Sequence, residues 1–280
     1  MDTSKDIFQS RLYRLNRKLL SLLGQWPFQK DRDRRVILAT ISFIGLTQAV
    51  AQILALVTLS GDFDATIECI PPLLVDFVCV IKLTNLVCNI EQIKLILIHI
   101  QRDWQTWAIQ SEFEILCRFA ESGRSITIGY ASGMYAFGSL FPFLAIIPKL
   151  TGKNITSEYS TRPVGFPYHV EYYVDLEKYY YPVLIHNYLS TVIRLTIIVA
   201  CDTYVAVLVL HCCALFSVVS YRGEWYESSP KSRKLLNMIM LRSTSPCTLT
   251  VGKLMILSLP SFSAVVRASA SYFTVLRSVR

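Results

Sequence analysis

Four histidines are the first side chains to test for chemistry, and their spacing gives them none to share. His99, His169, His186 and His211 are far apart and form neither an HxxxH nor an HExxH pair, so no metalloprotease-like site is encoded. The chain has no GxSxG elbow, no GxxxxGK[ST] phosphate loop and no paired-carboxylate motif, and it reads as a non-enzyme without a cofactor or metal. Its eight cysteines include no CxxC. Cys79, Cys88, Cys201, Cys212 and Cys213 fall inside apolar runs, and Cys117 and Cys247 lie beside basic stretches; small apolar fillers are expected, not a disulfide framework. The polar residues in unusual company are Asp76, Lys82, Arg194 and Asp202, each inside an apolar stretch. Asp76 and Lys82 are six residues apart, about 240° round a helix, so they cannot pair with each other. Arg194 and Asp202 are eight apart, also too far for direct contact. A charge in hydrocarbon is costly, so each is expected to face protein or water.

The elements that hold these charges have membrane length. Of 280 residues 52% are hydrophobic and 17% charged, against about 25% charged in soluble domains. Mean hydropathy is +0.41. Val36–Gly61 gives 26 consecutive uncharged residues and Ser125–Pro148 gives 24; about 20 apolar residues span a bilayer core. The expected fold is all-α, a polytopic helical membrane protein with about five spans. These lie near 36–60, 67–90 and 126–147, within the long stretch 179–221, and near 250–276, the last being weakest because Lys253 and Arg267 interrupt it. Four units follow: 1–35, a basic amphipathic segment; 36–221, a bundle of four spans; 222–249, an anchor segment; and 250–280, the last span and the C-terminus.

Basic residues orient the spans. Lys and Arg number nine in 1–35, four in 91–124 and five in 222–242, against none in 61–66 and four in 149–178. The richer side should be cytoplasmic, which places the N-terminus inside and the C-terminus outside. Asn154-Ile155-Thr156, the one glycosylation acceptor, falls in a connection expected outside. The chain does not open on an apolar core with a small-residue cleavage site, so targeting is expected to fall to the first span. Phe8, Leu12, Leu15, Leu19 and Leu22 recur at helical spacing among Arg11, Arg14, Arg17 and Lys18, which suits a helix lying on the inner leaflet. Gly24, Trp26 and Pro27 should break it. The net charge of +8 therefore serves topology and membrane lipid, and nucleic acid is not an expected partner. Phe166, Tyr168, Tyr172, Tyr173, Tyr179, Tyr180 and Tyr181 crowd the outer connection. Two readings stay open for them, an interfacial aromatic belt and a lid over a pocket for an apolar ligand.

The C-terminal third holds an ordered set of short motifs. Trp225-Tyr226, Pro230, Lys231-Ser-Arg-Lys-Leu-Leu236, Arg242-Ser243, Pro246-Cys247, Leu249-Thr250, Gly252-Lys253, Leu257-Ser258-Leu259 and Ser271-Tyr-Phe-Thr-Val-Leu-Arg277 follow in turn. In that order they resemble the last membrane segment of insect odorant receptors. Gly24-Gln-Trp-Pro27 and the Tyr-rich 166–181 segment also look like that family. Its members have seven spans. Here Tyr221-Arg222 passes directly to Gly223-Glu-Trp-Tyr226, so the fifth and sixth spans are expected to be missing.

The resemblance implies a subunit of an odorant-gated cation channel. It would form hetero-tetramers with a co-receptor, bind a small volatile ligand, and sit in the cell membrane of olfactory neuron dendrites. It places Tyr272, Val275 and Val279 at the narrow outer end of the pore, where a hydrophobic ring could gate by dewetting. Ser258, Ser261, Ser263, Ser269 and Ser271 suit either a wet pore face or close helix packing. Pocket candidates are Met134, Tyr135, Gly138 and Phe141 on the third span, and His186, Leu189 and Ile193 on the fourth; each competes with a packing role. Two other functions remain. A heptahelical G-protein-coupled receptor is opposed by the basic N-terminal side and the absence of DRY-like and NPxxY-like sequences. A truncated, non-conducting partner of the co-receptor is the other.

Overall fold

The computed structural model describes residues 6–107, 113–150, 178–222 and 259–278, with parts of 166–175, 229–241 and 250–256; side chains at 141–150, 220–222, 250, 251, 255, 256, 259, 262, 273 and 275–278 lie outside that description. The chain is a polytopic helical membrane protein, and among the described residues it is all-helical apart from one short strand pair. It divides into two compact units, Met1–Val218 and Val219–Arg280.

The first unit is built on α1 (Arg14–Leu22), α2 (Asp31–Thr58), α3 (Phe63–Cys88), α4 (Ile90–Trp107), α5 (Phe113–Leu150) and α6 (Tyr180–Arg222). α2, α3 and α6 over Tyr180–Val219 are long and apolar enough to cross a membrane. Their large apolar side chains are often exposed, Phe43, Leu46, Phe77 and Val80 among them, as lipid contact requires. α5 carries the uncharged run 125–148 inside a 38-residue helix. α2 and α3 form a hairpin in which Asp62 caps α3, its carboxylate accepting from the N–H groups of Asp64 (3.0 Å) and Ala65 (3.2 Å). α4 buries Ile93, Leu97, Ile100 and Trp104 along one stripe.

The N-terminal segment corrects one expectation. Its apolar residues face protein instead of the inner leaflet: Phe8, Leu12 and Leu19 are buried, Leu15 is partly buried, and Leu22 of the expected row is exposed. The helix is also broken, with a 3-10 turn at Ile7–Gln9 before α1. Aromatic edges explain the preference. Phe8 meets Trp26 at 5.3 Å, Tyr13 meets Trp104 at 6.1 Å, and Trp104 meets Phe113 at 5.7 Å between ring centroids. Trp104 Nε1 donates to the Tyr13 hydroxyl at 3.1 Å, and Asn16 meets Thr127 of α5 at 3.3 Å. Burial pushes the Tyr13 phenol up to about 12, so it stays a neutral partner. α1 stops at Gly24, whose φ of +65° suits glycine; the Gln25 N–H returns to Leu20 O at 2.8 Å. A Cβ there would stand 2.9 Å from Arg34 O.

The second unit corrects another boundary. The last helix, α7, runs Leu259–Ser278 and does not start at 250. Thr250–Val251 and Met255–Ile256 instead pair antiparallel as β1 and β2, in register Thr250↔Ile256. Pro260 lies in the first turn of α7, where a missing N–H costs no helical bond. Arg267 lies within α7, while Lys253 lies outside the described residues.

Candidate functional site

Two polar clusters form inside the first unit, and both are centred on α6. The one nearer the start of α6, labelled outer for its place on that helix, begins with a buried amide pair: Gln48 Nε2 on α2 donates to Asn187 Oδ1 on α6 at 2.9 Å. Asn187 Nδ2 donates to Val183 O at 2.9 Å, which fixes the orientation of the amide. One residue earlier on each helix, Thr47 Oγ1 meets His186 Nε2 at 3.0 Å. The chain before α6 then folds over this seam as a strap. Glu171 N–H donates to Ala51 O at 3.0 Å, and Phe166, Tyr168, His169 and Val170 are buried. The Tyr172 hydroxyl meets His186 Nδ1 at 2.8 Å and donates to Gln48 Oε1 at 3.2 Å. Its ring stands edge-on to the imidazole at 5.8 Å. Burial raises the Tyr172 phenol above its ordinary range, so the hydroxyl remains protonated. His169 Nε2 comes within 3.4 Å of Glu68 Oε2, so the strap touches α2, α3 and α6.

The four intramembrane charges pair between helices. Arg194 Nη1 donates to Asp76 Oδ1 at 2.9 Å, and Nη2 donates to the Tyr168 hydroxyl at 2.6 Å and to Thr191 Oγ1 at 3.3 Å. The guanidinium also lies 5.3 Å from the Tyr168 ring centroid. Gln52 approaches the same carboxylate, but neither its amide atoms nor Asp76 Oδ2 makes a hydrogen bond among the described residues. About 8 residues further along α6, Asp202 Oδ1 pairs with Lys82 of α3 and Oδ2 accepts from the Tyr130 hydroxyl of α5 at 3.0 Å. Helix geometry forbids pairing within one helix; these contacts satisfy the charges across helices instead.

The expected pocket residues fall into different surroundings. Met134, Tyr135, Gly138 and Ile193 line the α5–α6 seam, with Met134, Tyr135 and Ile193 packed on the main core. The Tyr135 hydroxyl meets Thr196 Oγ1 at 2.8 Å. A Cβ at Gly138 would stand 2.3 Å from Leu195 Cδ1, so the glycine admits a neighbouring side chain. His186 belongs to the strap cluster, and Leu189 is exposed. Phe141 is on α5 and Val275 on α7, with side chains outside the description. Asn154 and Val279 lie outside the described residues. Tyr272 is exposed on α7, as are Ser263, Ser269 and Ser271; Ser261 is half-buried, and Ser258 lies outside the described residues. Thr47, Gln48 and Asn187 were not anticipated. Their signal was the spacing of Gln48 and Gln52, four apart on one face of an apolar helix.

Comparison with known proteins matches residues 219–270 to the 7tm Odorant receptor family. Odorant receptor 10 of Aedes albopictus is 40% identical over 63 residues, 22% of this chain and 17% of that protein. Odorant receptor 63a of Drosophila melanogaster is 31% identical over 101 residues, 34% of this chain and 24% of that protein. The matches thus span about a fifth of the relatives' own lengths. The similarity to insect odorant receptors is thus carried by the C-terminal segment of the chain.

Proposed function

We propose that the chain is an odorant receptor subunit that binds a small volatile ligand and biases a cation channel assembled with a co-receptor. The match of residues 219–270 carries this reading. The N-terminus is placed in the cytoplasm by the Lys and Arg distribution, with Asn154 outside and open to glycosylation. The four units 1–35, 36–221, 222–249 and 250–280 then act as inner collar, bundle, anchor and pore segment. Ligand binding is assigned to the outer half of the α5–α6 seam around Met134, Tyr135, Gly138, Phe141 and Ile193, with His186 and Leu189 on the strap side. Apolar walls with few polar groups suit a volatile molecule. The strap bonds to α2 and α6 at once, so a ligand that shifts α6 must also load the strap. Tyr272, Val275 and Val279 form the gate, and the protein turns over no substrate.

The direct passage from α6 at Arg222 to Gly223 favours a second reading, a non-conducting partner of the co-receptor in the plasma membrane of the dendrite. Co-expression with the co-receptor under voltage clamp separates the two. The 280-residue chain is expected to reach the surface poorly and to give no odorant-evoked current. Insertion of family-like fifth and sixth spans between Arg222 and Gly223 should restore both, after which Val275→Ser should raise leak current. Robust evoked current from the present chain removes the second reading. Silence of the restored chain, with normal surface expression, removes the first.

A further inference from the structure

Beside the inner charge pair lies a cavity of about 280 Å³ between α3, α4 and α6. One wall is polar: Lys82, Asn85, Asn89 and Gln92 follow at helical spacing along the end of α3 and the start of α4. The facing wall on α6 includes Val205 and Leu208, and Val205 is exposed at the rim. We propose that this cavity binds the phosphodiester head of a membrane phospholipid, with an acyl chain leaving along Val205 and Leu208.

The donor inventory points to an acceptor-rich head group. Lys82 spends one of its three N–H bonds on Asp202. Asn89 Nδ2 is spent on Asn85 Oδ1 at 2.8 Å, which leaves the Asn85 amide N–H groups to offer. Asp202 has both oxygens engaged, by Lys82 and by Tyr130, and its charge is already paired with Lys82, so a cation gains little there. Tyr204, also on the α6 wall, keeps its hydroxyl buried without a partner among the described residues. Phosphodiester oxygens accept several such bonds at once. Depth agrees with this choice. Lys82 lies six residues before the end of α3, roughly 9 Å along the axis, within snorkelling reach of the interface. Water-soluble anions have no use for the apolar wall, while a lipid fills both walls.

The test is native mass spectrometry of the full chain, stripped in detergent and reloaded with dioleoyl-phosphatidylcholine, dioleoylglycerol or inorganic phosphate. One phosphatidylcholine should be retained per chain, dioleoylglycerol should not, and excess inorganic phosphate should fail to displace the lipid. Asn85→Leu with Asn89→Leu keeps the Lys82–Asp202 pair, and Val205→Trp fills the mouth from an exposed position. Each should weaken retention about tenfold, the equivalent of one or two hydrogen bonds. Unchanged melting of both variants in bare detergent shows that the fold survives. Equal retention of dioleoylglycerol, displacement by inorganic phosphate, or wild-type retention by both variants overturns the proposal.

Discussion

Asp76–Arg194 and Lys82–Asp202 both join α3 to α6, yet their surroundings differ. The outer pair has side chains 16% and 9% accessible, and Tyr168 covers the guanidinium with a hydroxyl and a ring. The inner pair is 28% and 40% accessible and borders the cavity. A closed pair has no alternative partners, so loss of one member strands the other. An open pair can borrow water or lipid head groups. The outer pair therefore locks the helices, while the inner pair can adapt to what enters beside it.

Replacement of a single charge should show the largest contrast. Arg194→Met leaves Asp76 buried beside an already unpartnered Oδ2 and Gln52; breaking such a pair costs about 3–5 kcal/mol. Lys82→Met should cost about 1 kcal/mol or less, as for accessible pairs. Thermal unfolding of the detergent-purified chain measures both. Asp76→Leu combined with Arg194→Met should recover much of the first loss, because no stranded charge remains. Equal losses for the two single variants would show that accessibility does not distinguish the pairs.

These pairs also mark how far the sequence could be read. Apolar runs located the helices, since the bilayer imposes length directly; α2 and α3 run close to the spans expected at 36–60 and 67–90, and α6 fills the stretch 179–221 within which the fourth was expected. Helix arithmetic showed that Asp76 could not meet Lys82, but the true partners needed the rotation of α3 against α6, which no local pattern records. The N-terminal row of Phe8, Leu12 and Leu19 is amphipathic, and amphipathicity does not say whether lipid or protein covers the apolar face. Trp104 and Phe113, distant in sequence, decided it. The start of α7 shifted because Pro260 favours a first turn, whereas hydropathy runs on through 250–258.

The hydroxyls that brace each pair sharpen the contrast at the next level. Tyr168→Phe keeps the ring over Arg194 and removes only the 2.6 Å bond. A hydrogen bond to a charged group is worth about 1.5–3 kcal/mol. Tyr130→Phe removes the 3.0 Å bond to Asp202 where the carboxylate is more accessible, so a loss below about 1 kcal/mol is expected. Hydrogen exchange should place the difference. Exchange of the Glu171 amide, bonded to Ala51 O, should accelerate in Tyr168→Phe and stay unchanged in Tyr130→Phe. Equal exchange in both would detach the strap from the outer pair.

Between the two pairs, the α5–α6 seam should give the smallest effect, and it separates packing from ligand binding. Gly138→Ala places a methyl 2.3 Å from Leu195 Cδ1, closer than atoms can stand. Leu195 presents the end of a flexible side chain, so a rotamer change relieves most of the overlap. About 1 kcal/mol of lost stability is expected, at the low end of overpacking. Gly133→Ala, on the same helix, meets no atom within 4 Å and should gain about 0.5–1 kcal/mol through the better helix propensity of alanine. In the receptor with restored spans, a change in ligand preference from Gly138→Ala greater than from Gly133→Ala assigns the seam to the pocket. A stability loss with an unchanged ligand profile assigns Gly138 to packing against Leu195 alone, and the pocket then belongs to the His186 side of α6, where the strap closes over Gln48 and Asn187.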